Sequence, residues 1–297
     1  RLSRPLLVGD RLYYLSGNQK APPRLHYIYT DGSTDLAGIK GFAFDSKRRL
    51  DLFTAASPDG RWLYLSGGAY VNEPGLLPAV MRGPLDGREP ARLFVGSLTQ
   101  VGSDQAHLNL PKAADCDREG RLYVADSANN RIQIYSPDGK YSKTIPVERP
   151  ELLGVHQKTG AVYVLHQARV EGKSVNRLTK FQDFDNPQPR LRQDGLHGLA
   201  LAVDSWSVVP RIWLGNVGGA AGVDGVAAGS AGNAAVQIWE ETPQGWKLFL
   251  DFDQRARKDD GPNYTGRHWC VGDSGLGNKQ IACDPNREQV YTHGWGV

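Results

Sequence analysis

The 297-residue sequence lacks the long apolar run that a membrane-spanning helix requires, about 18 consecutive residues. It also lacks any dense run of lysine and arginine, although it contains 35 basic and 32 acidic side chains, for a net charge of +3. Proteins that bind nucleic acid concentrate basic side chains where they contact phosphates. We therefore expect no transmembrane segment and no nucleic-acid partner.

Helical periodicity of useful length is also absent. The sequence is rich instead in turn-forming residues, with 35 glycines and 18 prolines, and it contains 7 tryptophans. This composition is typical of an all-β chain with many short strands. The length is sufficient for one large repeat-built domain or for two ordinary domains.

Cysteine is scarce, and three residues leave one outside any intramolecular pair. Cys116 lies in a predicted strand, where we expect a buried free thiol. Cys270 and Cys283 close a short loop and could form a disulfide, with two reduced thiols as the alternative. A disulfide would indicate an oxidising compartment. The sequence begins at Arg1 rather than methionine, which removal of a signal peptide or of an upstream domain would each explain. We expect an extracellular or periplasmic location.

A two-strand pattern recurs along the chain. Its clearest copy is "KAADCDREGRLYVAD" at 112–126, where an apolar strand, an Asp/Gly turn, an arginine and an aromatic-rich strand follow one another. Further copies occupy 5–16, 54–66, 152–166, 199–216 and 280–293. A second hairpin follows most copies, with turns such as "SPDG" at Ser136, in which Asp-Gly accepts the positive φ of a tight turn.

Each copy therefore predicts four short antiparallel strands, and six such units occupy the chain. A single unit cannot bury both of its faces, whereas units stacked around an axis can, so we predict an all-β, six-bladed β-propeller. A β-sandwich or β-solenoid is the alternative, but a sandwich does not require this repetition. The predicted single domain, 1–297, contains blades at roughly 5–45, 51–97, 108–148, 150–192, 197–251 and 267–297.

The stretch "LPKAADCDREGRLYVADSANNRIQIYSPDGK" at 110–140 closely resembles an NHL repeat, in which a proline, a small-apolar strand, Asp-x-x-Gly, "YVAD", "NNRI" and a "PDG" turn follow in this order. The other five units match in outline. The resemblance implies a propeller of the NHL-repeat family. The sixth unit stops at "GWGV", two strands after it begins, so we expect a continuation of the polypeptide or a partner to complete the last blade.

In a propeller, the loop entering strand 1 and the loop joining strands 2 and 3 lie on one face, so distant residues converge there. The ends of the second strands place six residues on this face: Ser16, Ser66, Asp126, His166, Asn216 and His293. The loops entering strand 1 add three histidines: His107, His197 and His268. This channel face is the predicted site of function.

Imidazole is the commonest neutral metal ligand. A candidate centre for zinc, copper or calcium is therefore formed by His107, His197, His268 and His293. Three histidines and a water would polarise a carbonyl or activate the water. Among NHL-like propellers, the peptidylglycine amidating lyases are similar in using inner-loop histidines for zinc. The related lactonases hold calcium in a cage of side chains, and only Asp126 and Asn216 of this sequence could correspond to members of that cage. Capping of strand ends without metal is the alternative.

Three further features have both a functional and a structural interpretation. "GDSG" at 272–275 surrounds the nucleophile of trypsin-like proteases, but six similar units do not match their fold, and a glycine-rich turn is the simpler interpretation. The segment 215–239, which lacks a phosphate-binding motif, is either a lid or a solvated insertion in blade 5. Trp269 and Trp295 could stack on a sugar, whereas packing between blades is the expected role of most tryptophans.

Three functions remain open. The first is an exported ligand-binding or protein-interaction module that takes a peptide, glycan or protein on its channel face. Its candidate residues are Asp126, His166, Asn216, Trp269 and Trp295. The second is a metal-dependent lyase or hydrolase, amidating-lyase-like or lactonase-like, at the channel mouth. The third is a purely structural repeat within a larger assembly.

Overall fold

A computed structural model describes residues 6–18, 21–31, 33, 48–70, 78–86, 88–89, 91–196, 198, 200–215, 236–260, 281–284 and 289–292. These residues form an all-β propeller in which every paired strand runs antiparallel to its neighbour. No helix within these ranges is long and apolar enough to cross a bilayer.

The strands occur in chain order from the first blade to the last. Blade 1 has β1 (Leu6–Val8), β2 (Arg11–Asn18) and β3 (Ala21–Tyr29). Blade 2 has β4 (Arg48–Ala56), β5 (Trp62–Tyr70), β6 (Ala79–Pro84) and β7 (Arg92–Gly96). Blade 3 has β8 (Pro111–Cys116), β9 (Leu122–Asp126), β10 (Arg131–Tyr135) and β11 (Tyr141–Pro146), with a 3-10 turn at Ser127–Asn129.

Two further four-stranded sheets and one hairpin follow. Blade 4 has β12 (Pro150–Val155), β13 (Val162–Val170), β14 (Lys173–Phe181) and β15 (Pro189–Asp194). Blade 5 has β16 (Ala200–Asp204), β17 (Arg211–Gly215), β18 (Val236–Thr242) and β19 (Gly245–Asp251), and helix α1 (Phe252–Asp260) follows it. The final hairpin consists of β20 (Ile281–Asp284) and β21 (Gln289–Thr292).

The sheets are arranged in a closed ring. The first strand of each sheet contacts the first strand of the next, in the order β1, β4, β8, β12, β16, β20, and β20 contacts β1. An ion pair between Lys112 Nζ and Glu151 Oε1, 3.0 Å apart, joins β8 to β12 within this ring. The sheets therefore radiate from a common axis, as the repeat pattern predicts.

The number of blades differs from the prediction. The structure shows five blades, not six, because the sixth unit is represented in the described ranges by the hairpin β20–β21 alone. The sequence pattern consists of the first two strands of a unit, so it identifies an inner hairpin without testing for outer strands. Completion of this unit by a partner or by further chain stays a prediction.

Each blade buries both faces against its neighbours, and β9 shows how the sequence achieves this. Side chains alternate between the faces of a strand. Leu122 and Val124 pack with blade 2, whereas Tyr123 and Ala125 pack with blade 4. All four are essentially inaccessible to solvent, and burial of one large apolar side chain contributes roughly 1.5 to 3 kcal/mol. A strand that is apolar on both faces is thus required between two blades.

Turns between strands 1 and 2 are capped in the same way in four blades. One side chain at the end of strand 1 or directly after it accepts hydrogen bonds from backbone N–H groups of the turn: Ser57, Asp117, His156 and Asp204. Gly120 in the blade 3 turn has φ +79°, which explains the glycine of the Asp/Gly signal. His156 is therefore a turn cap, and its Nε2 atom is buried with no hydrogen-bond partner among the described residues.

Helix α1 contradicts the expectation that the chain contains no helix. Its sequence, "FDQRARKDD", has no apolar stripe, so no periodic signal marks it. Phe252 anchors its first turn by packing on Trp213, with ring centroids 6.0 Å apart. The glycine-rich segment is also shorter than expected, because 236–239 belong to strand β18.

Candidate functional site

The second strands of blades 3 and 4 present two predicted site residues at equivalent positions. Asp126 ends β9 and pairs with Arg131, whereas His166 in β13 pairs with Arg177. The prediction that His166 ends its strand is wrong, because β13 continues to Val170 in a longer hairpin with β14. Both residues nevertheless point into the groove that separates their blade from the preceding one.

The groove of blade 3 is filled by the chain itself. The linker from β7 to β8, residues 97–110, crosses this groove, and the Asp126 side chain binds the linker backbone. Its Oδ1 atom accepts a hydrogen bond from Asn109 N at 2.6 Å, and its Oδ2 atom accepts hydrogen bonds from Asn129 and Arg131. Burial raises the pKa of Asp126, while these donors oppose that rise. The carboxylate is therefore a structural clamp.

Arg131 and Gln133 complete this clamp with N–H donors directed at linker carbonyls. The Arg131 guanidinium donates to the carbonyl oxygens of Ser103, Asp104 and His107 at 2.5 to 2.9 Å. Gln133 Nε2 donates to Asp104 O at 3.3 Å and its Oε1 accepts from Thr144. The donors of the blade 3 groove are thus taken up by hydrogen bonds to the chain's own linker.

The groove of blade 4 is open, because its linker comprises only residues 147–149 between β11 and β12. Such a short connection cannot cover the groove, and a cavity of about 330 Å³ remains between β11 of blade 3 and β13–β15 of blade 4. None of the residues that line it belongs to a first strand. The cavity therefore lies between two blades rather than in the channel where the predicted histidines would meet.

His166 forms one wall of this cavity and is only 7% exposed. Its Nδ1 atom lies 3.0 Å from the carbonyl oxygen of Glu148, and its Nε2 atom lies 2.9 Å from Thr179 Oγ1. A carbonyl oxygen can only accept, so Nδ1 carries the proton and Nε2 accepts from the threonine hydroxyl. Burial lowers the pKa of His166, and this neutral form matches the two hydrogen bonds.

Two arginines bring positive charge to the cavity. Arg177 Nε and Nη2 bind the carboxylate of Asp194, the latter at 2.9 Å, and its side chain is 20% exposed. The Arg192 side chain makes no short-range ion pair or hydrogen bond to any residue that the structure describes, although its charge acts on Asp194 at longer range. The remaining walls are mainly apolar or proline: Ile145, Pro146, Val147, Ala168, Phe181, Pro187 and Pro189. The site therefore combines an apolar wall with guanidinium groups at its polar end.

Sequence reasoning missed Arg177, Thr179 and Arg192. The signal was present in the alternation of β14, because a residue opposite His166 and another two positions later must share its face. Arg192 lies opposite Thr179 on β15. The prediction considered only the strand ends near the channel. It did not consider the residues on the same face of the outer strands of the blade.

Seven of the predicted site and disulfide residues lie outside the described ranges. These are His197, Asn216, His268, Trp269, Cys270, His293 and Trp295, together with the "GDSG" string at 272–275. Among the remaining candidates, His107 Nδ1 lies 2.9 Å from the carboxylate of Asp104 on the blade 3 linker. In the part of the chain that is described, no group of three or more His, Cys, Asp or Glu side chains could hold a metal ion. The metal centre stays a prediction.

The predictions for the two cysteines within the described ranges have different outcomes. Cys116 is confirmed as a buried free thiol at the end of β8, and burial raises its pKa well above the usual value. A thiol kept protonated in this way is a packing residue rather than a nucleophile. Cys283 lies in β20, and its disulfide with Cys270 stays a prediction.

No protein-family model matches the sequence, and no curated protein matches it either. The resemblance to NHL repeats therefore stays an interpretation. Among solved structures, hydrazine synthase from Kuenenia stuttgartiensis, a β-propeller protein, is similar with 14% identity and a TM-score of 0.57, covering 98% of this chain and 72% of that chain.

Two further structures are similar. U3-55K has 10% identity and a TM-score of 0.54, covering 98% of this chain and 88% of that chain. A functionally unknown protein from Desulfotomaculum acetoxidans has 12% identity and a TM-score of 0.51, covering 84% of this chain and 70% of that chain. At these identities the likeness concerns the fold alone.

Proposed function

We propose that this propeller is a ligand-binding module and that it takes a small organic ligand in the cavity between blades 3 and 4. One observation carries the proposal: the equivalent groove in blade 3 is filled and saturated by the chain's own linker, whereas the blade 4 groove stays open. A volume of about 330 Å³ lies within the range of small-molecule sites, roughly 300 to 1,000 Å³.

The composition of the walls supports binding rather than an accidental packing defect. Empty cavities in protein cores are lined by apolar groups, whereas this one is also lined by His166, Thr179, Arg177 and Arg192. Ligand sites typically combine apolar walls with a few convergent polar groups. The ligand site thus lies between two blades, at the linker end of the groove, and the peptide, glycan and protein ligands predicted for the channel face remain untested there.

Ala168 gives the most direct way to block the cavity. It lines the cavity and is 2% exposed, so Ala168→Phe should fill the space that a ligand would occupy. We expect ligand-observed NMR to detect binding of small fragments, among them 3-phenylpropanoate, 3-phenylpropanamide and 3-phenylpropanol, to the unmodified protein and to show that binding is lost in this variant.

The matched control is Ala128→Phe. Ala128 lies 40 residues before Ala168, in the 3-10 turn that follows β9 of blade 3, and is exposed beside the linker, to which its backbone N–H donates. This variant should bind the fragments like the unmodified protein. Equal binding by both variants, or no binding of any fragment to the unmodified protein, would contradict the proposed function.

The alternative function, a metal-dependent lyase or hydrolase, stays a prediction because three of its four histidines lie outside the described ranges. Export and an extracellular or periplasmic location likewise stay predictions. Neither is needed for ligand binding between blades 3 and 4.

A further inference from the structure

The hydrogen-bond donors in the two equivalent grooves show what a ligand must supply. In blade 3, Arg131 and Gln133 direct their N–H groups at the groove, and carbonyl oxygens of the linker accept them. The equivalent positions in blade 4 carry Arg177 and Thr179, as the strand pairing shows. The short linker of blade 4 leaves these positions without the row of acceptors that blade 3 provides.

Some polar groups of the blade 4 groove use all of their hydrogen-bond donors within the protein, and others do not. The Glu148 carbonyl oxygen accepts from His166 Nδ1, and the Thr179 hydroxyl is directed at His166 Nε2, so neither side chain has a donor left for a ligand. Arg177 uses Nε and Nη2 for Asp194, and its Nη1 atom has no acceptor among the described residues. The unused charged donors are therefore guanidinium N–H groups, beside the neutral amide of Gln188, which also lines the cavity.

The charged groups of the groove balance in number, Arg177 and Arg192 against Asp194 and Glu148, but they are paired unequally. Asp194 neutralises Arg177, and an oxygen of Glu148 accepts a hydrogen bond from the backbone N–H of Arg169. Arg192 is the guanidinium on the cavity wall that has no short-range ion pair in the described part of the chain, and Asp194 attracts it at longer range. It replaces Thr144 of blade 3, since both lie opposite the central residue of strand 3. This position therefore adds a guanidinium whose N–H donors have no acceptor among the described residues.

We propose that the ligand of this cavity is a small organic monocarboxylate with an apolar tail. Its carboxylate accepts N–H groups from Arg192 and from Arg177 Nη1, and so replaces the linker oxygens that occupy the blade 3 groove. A planar guanidinium matches a carboxylate in shape and charge. The tail packs against Phe181, Pro187 and Pro189. This inference rests on the proposed function and adds the chemical class of the ligand.

The test compares three probes that share one tail and differ in their head group. Isothermal titration of 3-phenylpropanoate, 3-phenylpropanamide and 3-phenylpropanol should show that the carboxylate binds at least tenfold more tightly than either neutral probe. Arg192→Gln should weaken carboxylate binding by roughly 2 to 5-fold, the loss expected for an ion pair of an exposed arginine. The same variant should leave the affinity for the two neutral probes nearly unchanged, because it removes charge and retains much of the side-chain volume.

Arg190→Gln is the matched control. Arg190 lies on the same strand, is exposed, and donates from Nε to Gln182 at 2.7 Å instead of lining the cavity. Its substitution should change no affinity. Neutral probes that bind as tightly as the acid and are blocked by Ala168→Phe would overturn the carboxylate inference and leave the proposed function intact. Carboxylate binding that is equally weakened by both arginine variants would also overturn it, since the attraction would then be a general surface effect.

Discussion

Blades 3 and 4 are built on the same strand pattern and differ in how the groove before each of them is occupied. In blade 3, the linker 97–110 crosses the groove, and Asp126, Arg131 and Gln133 bind its backbone. In blade 4, the linker is only 147–149, and the equivalent positions face a cavity. The comparison teaches that linker length, rather than the strands, decides whether the groove between these blades is filled by the chain or left as a cavity.

The difference extends to the chemistry of the equivalent side chains. Asp126 is a buried acceptor that holds three donors in place, while His166 is a neutral group that bridges Glu148 and Thr179. Replacing an acidic clamp by an imidazole frees the neighbouring arginine to bind Asp194 on its own blade. Blade 3 therefore uses this position for stability, and blade 4 leaves it at the wall of a cavity.

The largest expected effect comes from breaking the clamp of blade 3. Asp126→Asn removes the negative charge that Arg131 requires and presents an amide donor to groups that are themselves donors. Breaking a buried charge pair in this way costs about 3 kcal/mol of the free energy of unfolding. In a protein of this size, the midpoint of thermal unfolding should fall by roughly 5 °C, as measured by circular dichroism.

Asp194→Asn is the control in blade 4. This carboxylate also binds an arginine, but its side chain is 47% exposed, and exposed pairs contribute about 1 kcal/mol or less. Its midpoint should stay within about 3 °C of that of the unmodified protein. Similar losses in both variants would break the comparison, because the two grooves would then be equally structural.

A smaller effect is expected from pH. Burial lowers the pKa of His166 in the folded state, whereas an unfolded histidine titrates near 6.5. Above pH 6.5 the imidazole is neutral in both states, and its contribution to stability is fully present. As pH falls below 6.5, the unfolded chain binds a proton that the folded chain does not, so the free energy of unfolding decreases by at most about 1.4 kcal/mol per pH unit from this group.

His166→Gln should flatten this decrease. Urea unfolding of both proteins between pH 5 and pH 8 gives the comparison, and the variant should lose less stability on acidification. His156, whose pKa burial also lowers, is present in both proteins and accounts for part of the remaining slope. Identical slopes would show that His166 can accept a proton in the folded state, against the hydrogen bonds assigned to it.

Much of the architecture could be predicted from the sequence because it repeats locally. The Asp/Gly turn at 117–120 and the alternation in β9 each depend on a few neighbouring residues, and both are found where the pattern predicts them. The alignment of the second strands also identified Asp126 and His166 as equivalent positions. What this local pattern could not show is the number of complete blades, since it records only the first hairpin of each unit.

The candidate site was harder to predict, because it depends on packing between blades. His166 was recognised, but Arg177 and Arg192, which share the cavity with it, lie on strands 3 and 4 of the same blade. Their positions depend on the strand register, which the sequence alone does not reveal. The cavity itself arises because the linker is short, and no sequence motif predicts a cavity. The histidines were expected to meet at the channel, whereas the described site lies between two blades.

The most direct measurement is a crystal structure of the protein soaked with 3-(4-bromophenyl)propanoate, in which anomalous scattering locates the bromine. The account predicts a bromine peak beside Phe181 and Pro189 and the carboxylate within hydrogen-bond distance of Arg192. A peak in the central channel or in the blade 3 groove, with the blade 4 cavity empty, would contradict it.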